Sequence, residues 1–532
     1  MRAPTPLADP RPRWAAAAVA ALLPLSLFAA PAHAEPVAED TAADLRADLD
    51  EILDDPSVAD AGVVVLDPVT GEELYSRDAG TPYVPASNMK LFTSAAALEV
   101  LGTDRTFATE AVIPARYGRP RVVEDVYLVG GGDPTLTAAD IDALAADVAA
   151  SGVRVVKGDV VADDTWFDDE RLVDDWWPED EPYAYSAQIS ALTVAHGDRF
   201  DTGVTEVTVT AAAQGGAPTV DLGAAEGYME LDNRAVTGEP GSGNTLAVDR
   251  PVGTNTIVVT GSIPQGAAPV AVLRTVDEPA ALAGHLFEQA LEEHGVTVRG
   301  GTEQGEVPAD LNTRVVADHT SAELSEILVP FMKFSNNGHA EMLIKAIGRE
   351  TAGEGTWEAG RAGVAEAVAG LGVDTEGVVF HDGSGLSRTD RVTASAVTGL
   401  LSAARGADWF PVWEASLPVA GVTDPFVGGT LRNRMAGTAA QGVVSAKTGT
   451  MSGVSGLSGY VPGTDGGDGL VFSVVNNGHT GPAPIAVQDA VAVRLAEHLG
   501  HGAALRTQGA RVPEGAPGAE TGELECSWEL TC

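Results

Sequence analysis

The sequence predicts an α+β protein in which one domain, formed from the two ends of the chain, encloses a long β-rich insertion. Apolar residues recur at helical spacing before residue 106 and after residue 320. Between these positions, short Val-, Thr- and Ala-rich stretches alternate with Gly and Pro, as in β-rich domains. The chain has 532 residues, of which 44% are hydrophobic, so it is long enough for two or three folded domains.

Before the insertion, the chain is predicted to form a helix, a hairpin and a second helix. Apolar spacing places the first helix at residues 40–55. Residues 61–66 and 73–76 resemble strands, and a Pro- and Gly-containing turn joins them. The second helix is predicted from Ser87 to about Gly102, because serine is a favoured residue at a helix start.

The insertion is predicted to contain mostly short strands. Predicted strands include residues 122–129, 153–161, 206–212 and 256–260, and predicted helices are 137–150 and 279–294. The turn at 130–134 lacks the Gly-Lys-Ser/Thr of a phosphate loop. The acidic stretch 174–181 contains Trp176 and Trp177. A charge run usually faces solvent, but a Trp beside acids is also suited to receive a ligand cation.

Helical spacing returns after the insertion. Predicted helices are 321–333, 339–348, 357–371, 393–404 and 484–499, and predicted strands are 378–381, 456–461 and 469–475. His339-Ala340-Glu341 matches part of a zinc deaminase motif, but the required Pro-Cys-x-x-Cys is missing. Since no His-Glu-x-x-His motif or His/Cys cluster occurs either, we expect no metal site.

Charge and the two chain ends limit where the protein acts. The formal net charge of −44 would repel nucleic-acid phosphates, so no nucleic-acid partner is expected. Residues 1–34 have the basic, apolar and Ala-x-Ala segments of a signal peptide, and no later stretch is apolar enough to span a membrane. We therefore expect a secreted or cell-wall protein. Residues 508–532 are predicted to be an acidic tail, in which Cys526 and Cys532 could form a small disulfide loop.

Ser87 and Lys90 are the first candidates for chemistry. They are three residues apart, so they share one face of a helix. A serine hydroxyl becomes a good nucleophile when a base removes its proton, and a lysine amine in its neutral form can do so. A capping serine beside a solvated lysine is the alternative. The chain has only five lysines, which favours a specific use for an amine that arginine cannot replace.

Three motifs follow one another in the chain. Ser87-x-x-Lys90 stands at a helix start, Ser335-x-Asn337 in a turn between helices, and Lys447-Thr448-Gly449 on a strand. Together they resemble the penicillin-recognising serine acyl-enzymes. The long insertion is similar to one branch of these, the three-domain class C penicillin-binding proteins, which are D-alanyl-D-alanine carboxypeptidase/endopeptidases. The resemblance covers roughly residues 40–499.

The resemblance implies a role for each motif residue. Ser87 would attack the penultimate D-Ala carbonyl of a peptidoglycan stem peptide ending in D-Ala-D-Ala, and β-lactams would acylate the same oxygen. Lys90, with a pKa lowered by nearby Lys447, would take the serine proton. Ser335 would pass a proton to the leaving D-Ala, and Asn337 would bind the substrate amide. No cofactor is needed.

The resemblance also implies substrate-binding residues. Backbone N–H groups of Ser87 and Thr450 would form an oxyanion hole. Lys447 and Thr448 would hold the terminal carboxylate of the substrate, with Ser384 assisting.

A second set of positions matches a pocket that receives the diaminopimelate side chain in several members of the family. These positions are Trp177, Asp180, Arg388 and Met451. The end of diaminopimelate carries one positive and one negative charge, and Arg388 with Asp180 offers the complement of both.

The resemblance implies a β-lactamase/transpeptidase-like domain, an antiparallel sheet flanked by helices, made of residues 35–109 and 323–507. Two inserted β-rich domains would be domain II (110–135 and 226–322) and domain III (136–225). Two other functions stay open. A β-lactamase shares the three motifs but needs fast deacylation, and a non-catalytic peptidoglycan-binding protein would have no use for the nucleophile. The sequence indicates neither an oligomeric state nor the balance between carboxypeptidase and endopeptidase activity.

Overall fold

The computed structural model describes residues 40–116, 121–464 and 467–502. The predicted signal peptide and the acidic tail with both cysteines lie outside these ranges. Within them, the helices are α1 (Ala42–Leu53), α2 (Met89–Leu101), α3 (Ala138–Ala150), α4 (Pro279–Glu293), α5 (Leu324–Lys333), α6 (Asn337–Ala352), α7 (Trp357–Gly370), α8 (Ala394–Ala404), α9 (Phe410–Ser416), α10 (Pro425–Gly428) and α11 (Ile485–His498). No helix in the described part of the chain is both long and apolar enough to cross a membrane.

The strands of the described residues are β1 (Asp60–Leu66), β2 (Glu73–Arg77), β3 (Ala108–Pro114), β4 (Val122–Val123), β5 (Val126–Gly130), β6 (Val155–Val156), β7 (Val160–Asp163), β8 (Ala195–His196), β9 (Asp201–Thr202), β10 (Val204–Thr210), β11 (Thr219–Asp221), β12 (Glu230–Asn233), β13 (Val236–Gly238), β14 (Ala247–Asp249), β15 (Thr256–Thr260), β16 (Ser262–Pro264), β17 (Val270–Thr275), β18 (Thr297–Val298), β19 (Thr302–Gln304), β20 (Thr313–Thr320), β21 (Ser445–Met451), β22 (Val454–Val461) and β23 (Leu470–Asn477).

Both ends of the chain build one antiparallel sheet. Its strand order is β2-β1-β23-β22-β21. Successive side chains of a strand point to opposite faces. On β23, Val471 and Val475 accordingly pack in a core with α2, α6 and α8, whereas Phe472 and Val474 pack in a second core with α1 and α11. The predicted sheet with helices on both faces is therefore confirmed.

Two predicted helix starts are wrong. Ser87 does not cap a helix, because residues Ala86–Asn88 form a separate 3-10 turn and α2 begins only at Met89. Ser321 does not cap α5, which begins at Leu324. The Ser321 hydroxyl instead accepts a hydrogen bond from the Phe107 backbone N–H at 2.9 Å, so it joins the end of the insertion to its beginning.

The insertion contains two groups of strands, each with its own hydrophobic core. One group is the sheet β19-β7-β5-β3-β20, which packs against α3 and α4. The other comprises small sheets between Val204 and Thr275. This grouping differs from the predicted boundaries, because β7 pairs in parallel with β5 and β19. Residues of predicted domain III thereby join the sheet of predicted domain II, and residues 226–275 join the second group.

One predicted strand of the C-terminal part is absent. Residues 378–381 form no strand in the described chain and pair only at Val379, with Arg391. The segment leads into a loop whose backbone N–H groups bond to buried carboxylates instead of to a neighbouring strand.

Candidate active site

Ser87 lies in a strained turn at the edge of the antiparallel sheet. Ala86, which precedes it, has a φ of +46°, an uncommon value for a residue with a side chain. Strand β21 runs directly past this turn. A Cβ added to Gly449 would lie only 3.0 Å from the Ser87 backbone nitrogen and 3.0 Å from the Pro85 carbonyl oxygen. Glycine at this position therefore lets the strand approach the serine backbone.

Lys90 lies one turn further along and is fully buried. Its Nζ is 3.0 Å from Ser87 Oγ, 2.6 Å from Asn337 Oδ1 and 2.8 Å from the Ser384 carbonyl oxygen. Ser87 is a near neighbour of Lys90 in the sequence, whereas Asn337 and Ser384 are distant from it. The structure thus brings the first two predicted motifs together, and it excludes the alternative of a solvated lysine.

Lys447 and Ser335 form a second pair in the same site. Lys447 Nζ donates to Ser335 Oγ at 2.8 Å and to the Thr448 carbonyl at 2.8 Å. Ser335 has a φ of +60° in the turn between α5 and α6, and Asn336 caps α6 by accepting from the His339 N–H. The predicted turn between two helices is confirmed, and the third motif lies on β21 as predicted.

The remaining motif positions surround these two pairs. Asn337 Nδ2 donates to the Tyr185 carbonyl at 2.7 Å, so a residue of the insertion contacts the site. Thr448 Oγ1 donates to Thr430 Oγ1 at 2.8 Å. Thr450 lies two residues further along β21, opposite Ser455 on β22.

The predicted diaminopimelate pocket is partly assembled. The Arg388 guanidinium lies 4.8 Å from the centre of the Trp177 ring and donates to the carbonyl of Ser452, which follows Met451. Asp180 accepts a hydrogen bond from the Tyr185 hydroxyl at 2.8 Å, and burial raises the pKa of the Asp180 carboxyl. The cation over Trp177 is therefore that of Arg388.

Three buried carboxyl groups accept hydrogen bonds from the backbone of residues 381–387, and none of them was among the predicted site residues. They are Glu341, Asp382 and Asp390. Burial and the neighbouring Asp382 raise the pKa of Glu341 to about 7, and burial, again with Asp382, raises the pKa of Asp390 well above its usual range. Glu341 follows Asn337 by four positions on α6, so helical spacing from a predicted site residue was the signal that would have revealed it.

Ser384 and Trp176 are both buried, and both contact the Asp382 carboxylate. The Ser384 side chain is fully buried, and its hydroxyl accepts from the Leu386 N–H at 3.3 Å. Its contact with substrate stays a prediction, and its carbonyl oxygen already contacts Lys90. Trp176 is buried and donates from Nε1 to Asp382 Oδ2 at 3.0 Å. Of the adjacent tryptophans, one thus anchors the insertion and the other stacks on the Arg388 guanidinium.

One group of side chains in the described residues has the composition of a metal site. The candidate ligand atoms of Asp174, Asp175 and His381 lie within 4.8 Å of one another. His381 Nε2 is 2.8 Å from Asp174 Oδ1, and the Asp174 side chain is 83% exposed. A hydrogen bond between the imidazole and a surface carboxylate accounts for this contact without a metal.

Comparison with known proteins decides the family. A model of the D-Ala-D-Ala carboxypeptidase 3 (S13) family matches residues 45–498. The chain belongs to this family. The predicted relationship to the class C penicillin-binding proteins is thereby confirmed, and with it the enzyme class, a serine-type D-Ala-D-Ala carboxypeptidase.

Two curated relatives and one solved structure are similar to this chain. A D-alanyl-D-alanine carboxypeptidase of Actinomadura sp. (strain R39) is 67% identical over 523 residues, which cover 98% of this chain and 96% of the relative. A carboxypeptidase DacB of Mycolicibacterium smegmatis is 28% identical and covers 81% of this chain and 79% of that relative. The crystal structure of penicillin binding protein 4 (dacB) from Haemophilus influenzae superimposes with a TM-score of 0.73 at 21% identity, covering 85% of this chain and 99% of that one. At this identity the likeness shows the fold.

Proposed function

We propose that this S13 carboxypeptidase is exported and removes the terminal D-Ala from peptidoglycan stem peptides through an acyl-enzyme on Ser87. The observation that carries the proposal is the contact of 3.0 Å between the buried Lys90 amine and Ser87 Oγ. A buried amine beside a partly exposed hydroxyl is suited to act as a general base on it. Export to the cell wall rests on the signal-peptide pattern of residues 1–34.

The first step forms the acyl-enzyme. A neutral Lys90 amine has two N–H groups and one lone pair. The carbonyl oxygens of Asn337 and Ser384 can only accept, so they take the two N–H groups and leave the lone pair for the Ser87 hydroxyl. Lys90 then takes the hydroxyl proton while Ser87 Oγ bonds to the substrate carbonyl carbon. The close approach of β21 to Ser87 supports an oxyanion hole formed by the backbone N–H groups of Ser87 and Thr450.

The second step releases D-Ala. The C–N bond of the substrate breaks, and its nitrogen needs a proton to leave as an amine. Ser335 Oγ is positioned to give this proton and to regain one from Lys447 Nζ, which donates to it at 2.8 Å. Lys447 and Thr448 are suited to hold the terminal carboxylate of the substrate, because both belong to β21, the strand that passes the Ser87 backbone at Gly449. Water then hydrolyses the ester and restores Ser87.

The pocket near Trp177 is proposed to receive a diaminopimelate side chain. Its ammonium group would bind Asp180 and its carboxylate would bind Arg388, whose guanidinium is already stacked on Trp177. Met451 ends β21 beside Ser452, the Arg388 partner, and contributes an apolar wall. The substrate class is therefore a stem peptide that contains diaminopimelate and ends in D-Ala-D-Ala.

Covalent labelling with a fluorescent penicillin tests this function. The wild-type protein is expected to give a labelled band on a denaturing gel, and the Ser87→Ala variant is expected to give none. D-Ala release from a diaminopimelate-containing peptide then measures carboxypeptidase activity, and cleavage of its cross-linked dimer into monomers measures endopeptidase activity. Absence of a band from folded wild-type protein with the antibiotic intact would overturn the proposal in favour of a binding protein. Rapid loss of the free antibiotic would overturn it in favour of a β-lactamase.

A further inference from the structure

Residues 381–387 form the loop that contacts Lys90. The backbone N–H groups of this loop bond mainly to buried carboxyl groups. Glu341 and Asp390 are completely buried and Asp382 is 1% exposed. Burying a carboxyl group is costly unless hydrogen bonds compensate. Most of their hydrogen bonds come from backbone N–H groups of residues 381–387. This segment is not part of any strand, so its N–H groups do not bond to a neighbouring strand.

Glu341 binds the part of this loop nearest to Lys90. Its Oε1 accepts from the Ser384 N–H at 2.8 Å and the Gly383 N–H at 3.2 Å. Its Oε2 accepts from the Gly383 N–H at 3.0 Å and from Trp357 Nε1 at 2.8 Å. Oε1 therefore holds the peptide group between Gly383 and Ser384, both oxygens hold the peptide group between Asp382 and Gly383, and Oε2 is also fixed by a tryptophan of the next helix.

The two aspartates hold other backbone N–H groups of the same loop. Asp390 Oδ1 accepts from the His381 N–H at 2.6 Å. Asp382 accepts from the Gly385 N–H and the Ser387 N–H, both at 2.6 Å. Because the Gly385 N–H and the Ser384 carbonyl belong to one peptide group, Asp382 holds that group directly, and Glu341 holds the two peptide groups before it.

The position of Ser384 decides where the Lys90 lone pair points. The Ser384 carbonyl oxygen lies 2.8 Å from Lys90 Nζ, and the Gly383 carbonyl accepts from Thr93 Oγ1 on α2 at 2.6 Å. Rotation of the Ser384 carbonyl away from Lys90 would free one amine N–H. That N–H would then compete with the lone pair for the position facing Ser87.

We propose that Glu341 is a positioning residue for the general base: by holding the Gly383 and Ser384 N–H groups, it fixes the position of Ser384, keeps the Ser384 carbonyl within reach of Lys90 and so aims the Lys90 lone pair at Ser87. This inference rests on the proposed acyl-enzyme function. Glu341 touches neither substrate nor the reacting atoms, and it acts through the loop.

Glu341→Gln is the decisive variant, because it keeps the volume of the side chain but replaces one acceptor by an NH2 donor. In one orientation the NH2 faces the Gly383 N–H and Trp357 Nε1, and in the other it faces the Ser384 and Gly383 N–H groups. Both orientations place donor against donor, so the loop must move. The matched control is Trp357→Phe, which removes one hydrogen bond of Glu341 but none of the loop.

The measurement separates positioning from folding. The rate of labelling by a fluorescent penicillin gives the acylation rate constant of each competent site, and the final amount of label gives the fraction of competent sites. Positioning predicts that Glu341→Gln lowers the rate constant roughly 10- to 100-fold, as misplaced groups do, and that the final labelling stays near that of the wild type. Trp357→Phe is expected to keep the wild-type rate constant within about threefold.

The possible results distinguish positioning by Glu341 from a purely structural role and from failure of the proposed function. An equal rate constant for Glu341→Gln and Trp357→Phe, with the wild type labelled normally, would overturn the role of Glu341 and leave the proposed function intact. A lower final labelling with an unchanged rate constant would show a purely structural role and overturn the inference as well. A wild-type protein that takes no label would instead overturn the proposed function.

Discussion

Gly385 offers a test of how closely the loop at residues 381–387 controls the nucleophile. Its φ is +84°, and a Cβ added there would lie 1.9 Å from the Ala86 carbonyl oxygen and 3.0 Å from Met89 Cβ. An ordinary contact begins near 3.4 Å, so Gly385→Ala must separate the loop from the Ala86–Ser87 turn by about 1.5 Å. Since a displacement of about 1 Å at reacting groups can cost roughly 10²-fold in rate, we expect acylation by penicillin to fall at least that much.

The Gly385 variant has a matched control. Gly372 has a nearly identical φ of +83° with nothing within 4 Å of an added Cβ. Gly372→Ala therefore carries the same backbone strain, about 1–2 kcal/mol, without touching the nucleophile turn. Both variants should lower the melting temperature, and only Gly385→Ala should lower the acylation rate constant. Equal acylation rate constants for the two variants would refute the argument that the loop fixes the position of Ser87.

Two further predictions concern the pocket and pH. Asp180→Asn is expected to raise KM for a diaminopimelate-containing peptide about tenfold, the cost of one charge-assisted hydrogen bond, while acylation by penicillin stays within about threefold; equal effects on both reactions would contradict the pocket. Burial raises the pKa of Asp201 to about 6. Because the folded pKa exceeds the unfolded value, the stability contributed by Asp201 is present at low pH and is lost as pH rises through 6. The melting temperature of Asp201→Asn minus that of the wild type should therefore increase from pH 4 to pH 7.5. A difference that stays constant with pH would argue against this titration.

The sequence predicted best what depends on short-range spacing. The three-residue step from Ser87 to Lys90 sufficed to place both side chains together, and Thr137 and Thr393 cap α3 and α8 where the apolar periodicity begins. The sheet of the two chain ends was predictable because β1 and β2 form a local hairpin and the resemblance supplied the rest. Local periodicity does not specify which distant strands pair, and the wrong grouping of β7 within the insertion has this cause.

The predictions failed where a side chain's environment comes from distant segments. The spacing of Glu341 from Asn337 on α6 was a local signal for its place near the site, but nothing local indicates that its partners are residues 383 and 384. Trp177 beside acids indicated a cation site, but the cation is supplied by Arg388, more than two hundred positions away. Such contacts follow from tertiary packing, which sequence periodicity does not encode.

The contacts of the insertion argue that it is part of the active site and not an accessory. Tyr185 accepts from the same Asn337 side chain whose oxygen faces Lys90, so the insertion fixes which end of this amide points to the base. Trp176 donates to Asp382, which in turn holds the Gly385 and Ser387 N–H groups of the loop. Both acceptors of the Lys90 amine, Asn337 Oδ1 and the Ser384 carbonyl, are thus held in part from the insertion. The geometry of the base therefore depends on residues far in sequence from both neighbouring motifs, and substitutions in residues 176–185 should be expected to alter rate as well as substrate choice.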